Sequence, residues 1–169
     1  MQLVYGGNYH FTHCTFANEY NNRFLSASDP VLFMSNEFPV DVVDNTIIYD
    51  GNDLNATFEN CIIYGTRPDE ILLNDSERVE AGFNYTFNHC LIKKDTLNTD
   101  LPNFMNPVIV ESANDFGFLD SPEFDYRLDT IVNPAVNAGA TSLMVPAPID
   151  LDGVMRDGMP DIGAYEFQE

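Results

Sequence analysis

The chain holds no tryptophan, only 7 lysines and arginines, 3 histidines and 3 cysteines. Set against 27 acidic residues, the shortage of cations leaves a formal net charge of −20. Such a surface repels phosphate backbones and anionic headgroups, so nucleic acid and direct membrane insertion are excluded as modes of action. It suits calcium, cationic partners or neutral sugars. No apolar run approaches the roughly 20 residues that a bilayer crossing needs. The opening Met1-Gln2-Leu3-Val4-Tyr5 has neither a basic start nor an apolar stretch, so an export signal is expected upstream of Met1. Three cysteines leave at least one thiol outside any disulfide. What the chain does hold is apolar: 44% hydrophobic residues, with 13 Phe and 8 Tyr, is too much for a disordered segment. Its 169 residues suffice for one domain with a continuous core.

Internal repetition decides the predicted fold. Phe11-Thr12-His13-Cys14-Thr15-Phe16, Phe58-Glu59-Asn60-Cys61-Ile62-Ile63 and Phe87-Asn88-His89-Cys90-Leu91-Ile92 share one pattern, and Val43-Asp44-Asn45-Thr46-Ile47-Ile48 fits it more loosely. In a plain strand every second residue faces one way. If Phe58, Cys61 and Ile63 all point inward, the alternation slips at Asn60, and a corner in left-handed conformation does this. The four corner occupants, His13, Asn45, Asn60 and His89, come from the few residue types that tolerate positive φ. Short strands with inward apolar residues and corners, repeated along the chain, describe a solenoid. The fold class is therefore all-β, a right-handed parallel β-helix with an irregular C-terminal cap. Residues 1–100 read as terminal coils, with loops pushed out near 19–39 and 66–82, and residues 101–169 as a capping module continuous with them. Pro68-Asp69-Glu70 suits a helix start. Further coils are expected on the N-terminal side.

Beyond residue 100 a resemblance emerges. Asp125-Tyr126-Arg127-Leu128, then Asn133-Pro134-Ala135-Val136-Asn137-Ala138-Gly139, then Asp150-Leu151-Asp152-Gly153-Val154-Met155-Arg156, then Asp161-Ile162-Gly163-Ala164-Tyr165-Glu166-Phe167 follow in a fixed order. Together they resemble the C-terminal end of bacterial right-handed β-helix repeat proteins with a choice-of-anchor Q-type module. Asn133 stands where that family usually has Ser. The resemblance implies export to the extracellular space or cell surface and a β-helical fold; it implies no one activity. A module that covers the last coil would protect its unpaired strand edge. Ile149, Leu151, Ile162, Tyr165 and Phe167 are the expected apolar contacts of such a cap.

Candidate functional residues are few. The cysteines share one repeat position, which argues for an inward stack of unpaired thiols. His13 and His89, three repeats apart, are roughly 14 Å from each other at about 4.8 Å per coil, too far to share a metal. Asp150, Asp152, Asp157 and Asp161 are candidate calcium ligands, and the competing reading gives them Asx-turns and pairing with Arg156. No cofactor is required. Tyr49 and Tyr64 would form a sugar-stacking platform on the outside of consecutive coils, or an ordinary packing ladder. Lys93 and Lys94 follow the last repeat and are candidates to line a groove. No residue set has the paired carboxylates of glycoside hydrolysis or a clear base for β-elimination. The expected function is a noncatalytic secreted or cell-surface module, glycan-binding or adhesin-like, with polysaccharide as partner. The alternative is the C-terminal fragment of a polysaccharide lyase or glycoside hydrolase whose active coils lie upstream.

Overall fold

The computed structural model describes residues 1–18 and 29–168. It is all-β: among these residues there is no α-helix, and 42% are in strands. Strands β1 (Gln2–Leu3), β2 (Gly7–Thr12) and β3 (Thr15–Asn18) open the chain. A second pass supplies β4 (Leu32–Ser35), a hairpin of β5 (Glu37–Val43) and β6 (Thr46–Gly51), then β7 (Leu54–Glu59) and β8 (Ile62–Gly65). A third gives β9 (Ile71–Asn74), β10 (Phe83–Asn88) and β11 (Leu91–Lys93), and a fourth β12 (Phe104–Met105) and β13 (Val108–Val110). Strands β14 (Phe118–Asp120) and β15 (Asp125–Leu128) pair antiparallel around a single 3-10 turn.

Three parallel sheets result: each of the first three passes enters all three, and the fourth enters only the second and third. The first is β1-β4-β9, the second β2-β7-β10-β12 and the third β3-β8-β11-β13. The register aligns Phe11, Phe58, Phe87 and Phe104 in one row, and Thr15, Ile62, Leu91 and Val108 in another. Neighbouring rings of the phenylalanine row stack at 5.0, 4.7 and 5.1 Å between centroids. This is the offset arrangement that aromatic pairs prefer. The corner after that row is left-handed in all four passes: His13, Asn60, His89 and Asn106 have φ of 50°, 52°, 48° and 48°. Cys61 and Cys90 are fully buried beyond it, Cys14 is half-buried, and all three are free thiols, as the repeat position requires.

Several expectations change. Asp44 and Asn45 both have positive φ and form the two-residue loop of the β5–β6 hairpin, so residues 43–48 are not a repeat of the parallel sheets. With that segment removed, β7 is the single strand between β2 and β10, so His13 and His89 lie two passes apart rather than three. The fourth repeat is instead Phe104-Met105-Asn106-Pro107-Val108-Ile109, past the boundary set at residue 100. The stretches read as loops hold β4 and β9, two strands of the first sheet; residues 19–28 of the first loop lie outside the described residues. Residues 66–68 form bends, and no helix starts there. Asp69 instead accepts the main-chain N–H groups of Asp95, Thr96 and Leu97, fixing the next turn.

The C-terminal segment does not cover the last strands end-on. It lies along the outer face of the third sheet, whose strands are apolar on both sides: Ile63 and Ile92 join the inner core, while Ile62, Tyr64, Leu91 and Val110 join a second core. A sheet with two apolar faces must be covered on both. Phe116, Phe118, Leu128, Ala135 and Ile162 supply the cover. Ile162 is fully buried and Phe167 packs at the margin, whereas Ile149 and Leu151 are 56% and 70% exposed and take no part. Gly163, at φ 106°, passes so close that a Cβ would lie 2.5 Å from Ile62, which reserves the position for glycine.

Candidate functional site

Of the three sheets, the second keeps an outer face that is polar across β2, β7 and β10, with Met105 at the outward position of β12. Its inward positions hold the phenylalanine row and its apolar neighbours. The alternate positions therefore point outward: Asn8, His10 and Thr12 on β2, Asn55, Thr57 and Glu59 on β7, Asn84, Thr86 and Asn88 on β10. In parallel register, identical residues fall on top of one another. Asn55 donates through its side-chain amide to Asn8 Oδ1 at 3.0 Å, and Asn84 donates to Asn55 Oδ1 at 3.1 Å. Asn8 and Asn84 are exposed. Asn55 and Asn84 each use one of their two amide N–H groups inside the row and keep the other for a ligand or water, and Asn8, which only accepts there, uses neither within the row. Beside the ladder a shallow depression of about 340 Å³ runs along Thr57, Tyr85, Thr86 and Asn103.

Glu59 is the one carboxylate among these nine outward positions. It is 6% exposed and held in place: Oε2 accepts from His10 Nε2 at 2.8 Å and from the main-chain N–H of Met144 at 3.0 Å. Asn88 donates to its other oxygen at 3.5 Å. It therefore serves as an acceptor that ties the C-terminal segment to the sheet. Among the nine outward positions Glu59 has no second carboxylate beside it, and its oxygens are taken up by His10, Asn88 and Met144.

The residues singled out from the sequence fall elsewhere. Tyr49 sits on the hairpin beneath the Arg78 guanidinium, 4.0 Å from its ring centre, and Tyr64 is 2% exposed inside the second core against Phe116. They share no face, so the proposed pair of stacking platforms does not form. Lys93 is buried, its ammonium donating to the Gly65 carbonyl at 2.6 Å and lying 5.2 Å from the Tyr64 ring centre, so it lines no groove. Lys94 is half-buried at the edge of the third sheet, its main-chain N–H donating to Val110.

Three of the four aspartates act on the backbone, and Asp152 enters only through its own main-chain N–H. Asp150 accepts the N–H groups of Asp152 and Val154 on one oxygen and that of Glu166 on the other. Asp157 accepts that of Met159, and Asp161 those of Asn137 and Phe167. These are the Asx-turns and long-range clamps of the competing reading. Arg156, however, pairs with Glu166 at 2.9 Å, not with an aspartate carboxylate. Among the described residues no group of three or more His, Cys, Asp or Glu is arranged to hold a metal ion.

The asparagine ladder was the feature that sequence reasoning missed. Its signal was present: Asn8, Asn55 and Asn84 each lie three residues before the aligned Phe11, Phe58 and Phe87. Comparison with protein-family models, with curated proteins and with solved structures yields no match.

Proposed function

We propose that this chain is the noncatalytic C-terminal part of a secreted or cell-surface right-handed parallel β-helix, and that it binds neutral polysaccharide on the outer face of its second sheet. The cyclic order in which the chain enters the three parallel sheets supports the β-helix, and parallel crossovers are right-handed in about 98% of cases. The ordered segments at 125–128, 133–139, 150–156 and 161–167 support kinship with β-helix repeat proteins carrying a choice-of-anchor Q-type module. In this reading further coils stack on the free edges of β1, β2 and β3. Export is inferred from that kinship alone.

The observation that carries the binding reading is the uncovered row of Asn8, Asn55 and Asn84 with threonines alongside. Strands in such a sheet repeat at about 4.8 Å, so the donors recur at a fixed interval along the row. A polymer with repeating hydroxyls meets such a surface at several points at once, and an uncharged one escapes repulsion by the net charge of −20. The test is affinity gel electrophoresis against neutral and acidic polysaccharides, with calcium and with chelator. Retardation by at least one neutral polymer is expected, independent of calcium and lost in the Asn55→Ala/Asn84→Ala double variant. No retardation by any neutral polymer, or full retardation of the double variant, would refute the reading. Retardation that needs calcium would instead return attention to Asp150, Asp152, Asp157 and Asp161.

A further inference from the structure

Where the C-terminal segment crosses the corner of the first two passes, it leaves a cleft of about 420 Å³. The cleft is of a size that takes small ligands. Its lining combines two buried polar side chains, His13 and Arg156, with an apolar wall of Leu143, Pro146, Pro148 and Pro160. Both polar side chains are more than nine-tenths buried: His13 is 7% exposed and the Arg156 side chain 4%.

Each keeps one nitrogen without a hydrogen-bond partner, Nδ1 of His13 and Nε of Arg156. The proton on His13 can be placed. Asn60 is held between Ala140 and the corner: its Oδ1 accepts the Ala140 N–H at 2.7 Å, and its Nδ2 donates to the Ala140 carbonyl at 3.0 Å. That same amide nitrogen faces His13 Nε2 at 3.1 Å, so Nε2 is the acceptor and the ring proton of neutral imidazole sits on Nδ1. Burial, and then the nearby Arg156 charge, lower the His13 pKa to about 4, so the ring is neutral at ordinary pH. The carbonyls of Gly163 and Asp161 lie near the ring, yet neither completes a hydrogen bond to Nδ1. Arg156 spends its terminal nitrogens on Glu166 and on the carbonyls of Gly163 and Asp161, which leaves Nε–H over. Two buried donors without acceptors thus belong to residues that line one cleft, and buried donors left unpaired are costly.

The charge around them selects the acceptor. Glu166 already neutralises Arg156, and Asp157 stands on the cleft lining, so an anion gains little here. An uncharged carbonyl oxygen with an apolar group attached satisfies both donors and the wall. Thr141 and Ser142, also on the lining, are exposed and belong to no strand.

We propose that the cleft binds an acetamido group of an N-acetylated sugar, its carbonyl oxygen accepting from His13 and Arg156 and its methyl group lying against the proline-lined wall. This site is separate from the asparagine ladder, and the two proposals stand or fall independently. The test is an NMR titration of the whole chain with N-acetylglucosamine oligomers, glucose oligomers and acetate, following the amides of Ala140 and Gly163 at the cleft and of Asn55 and Asn84 on the ladder. Cleft amides are expected to shift with the acetylated sugar and not with glucose oligomers or acetate. His13→Gly, which suits the left-handed corner, should weaken binding about tenfold, the worth of roughly one hydrogen bond. His13→Asn, which returns an N–H near the Nδ1 position and matches Asn60 and Asn106 at the same corner, should bind within about threefold of the parent. Both variants would be checked by thermal melting to confirm that they fold. No shift at the cleft, equal response to glucose oligomers, a stronger response to acetate, or undiminished binding by folded His13→Gly would each overturn the proposal.

Discussion

Residues 43–48 and residues 58–63 share a pattern in sequence and part company in space. Phe58 lies fully buried between Phe11 and Phe87, and one left-handed residue, Asn60, turns the chain into β8. Val43 is 50% exposed, two left-handed residues follow it, and the chain doubles back on itself as a hairpin. Residue preference alone does not explain the split. Asn88-His89 is as tolerant of two positive φ values as Asp44-Asn45, yet only His89 adopts one. The difference lies in what the first residue of each unit can bury. A phenylalanine that stacks on two others holds its strand in the parallel register. A valine with no aligned neighbour in the parallel sheets leaves the turn to local preference, and two consecutive left-handed residues make the tight reversal that joins antiparallel strands.

That comparison can be broken most severely at the phenylalanine row. Phe58→Ala should cost about 3–5 kcal/mol in chemical denaturation, because it removes the middle of a stacked row and leaves a cavity. Ile47→Ala on the hairpin, where the side chain is 48% exposed, should cost less than about 1 kcal/mol. Equal losses would mean that the hairpin belongs to the core. The next effect is at the turns themselves. Asn60→Ala loses its links to His13 and Ala140 and forces alanine to φ 52°, for about 3 kcal/mol. Asn45→Ala meets the backbone cost alone, about 1 kcal/mol, and a matched pair of losses would deny Asn60 its role as docking point. The smallest effect sharpens the contrast in the other direction. Asn45→Gly gives the hairpin its preferred Asp-Gly loop and should stabilise by less than about 1 kcal/mol in a thermal melt. The same change at Asn60 should destabilise strongly, since glycine suits the φ but removes the amide that holds Ala140.

Legibility along the chain followed the same line. The second and third sheets were readable because Phe, Cys and paired apolar residues recur on either side of a corner. The first sheet was not: Leu32-Phe33-Met34-Ser35 and Ile71-Leu72-Leu73-Asn74 carry no shared turn signal, and both sat inside stretches read as loops. The fourth repeat escaped because Pro107 takes the cysteine position and Met105 the polar one. Its Phe, Asn and paired apolar residues, Phe104, Asn106, Val108 and Ile109, kept the pattern and were sufficient to find it. The C-terminal segment was expected over the end of the last coil, and its apolar contacts lie on the side of the third sheet. Ile62-Ile63-Tyr64 and Leu91-Ile92 are continuous apolar runs, and such runs belong to strands buried on both faces. That signal placed a cover on the side of the third sheet.

The all-β class, the left-handed corners and the inward cysteines were determined by the sequence alone. Each follows from the period or φ tolerance of residues near one another in the chain. Only the tertiary structure decided which strand lies beside which, that Asn8, Asn55 and Asn84 form one ladder, and that His13 meets Arg156 across a cleft. These depend on register between passes separated by insertions of unequal length. Register is set by the summed burial of all aligned rows at once, a quantity that no single segment of sequence carries.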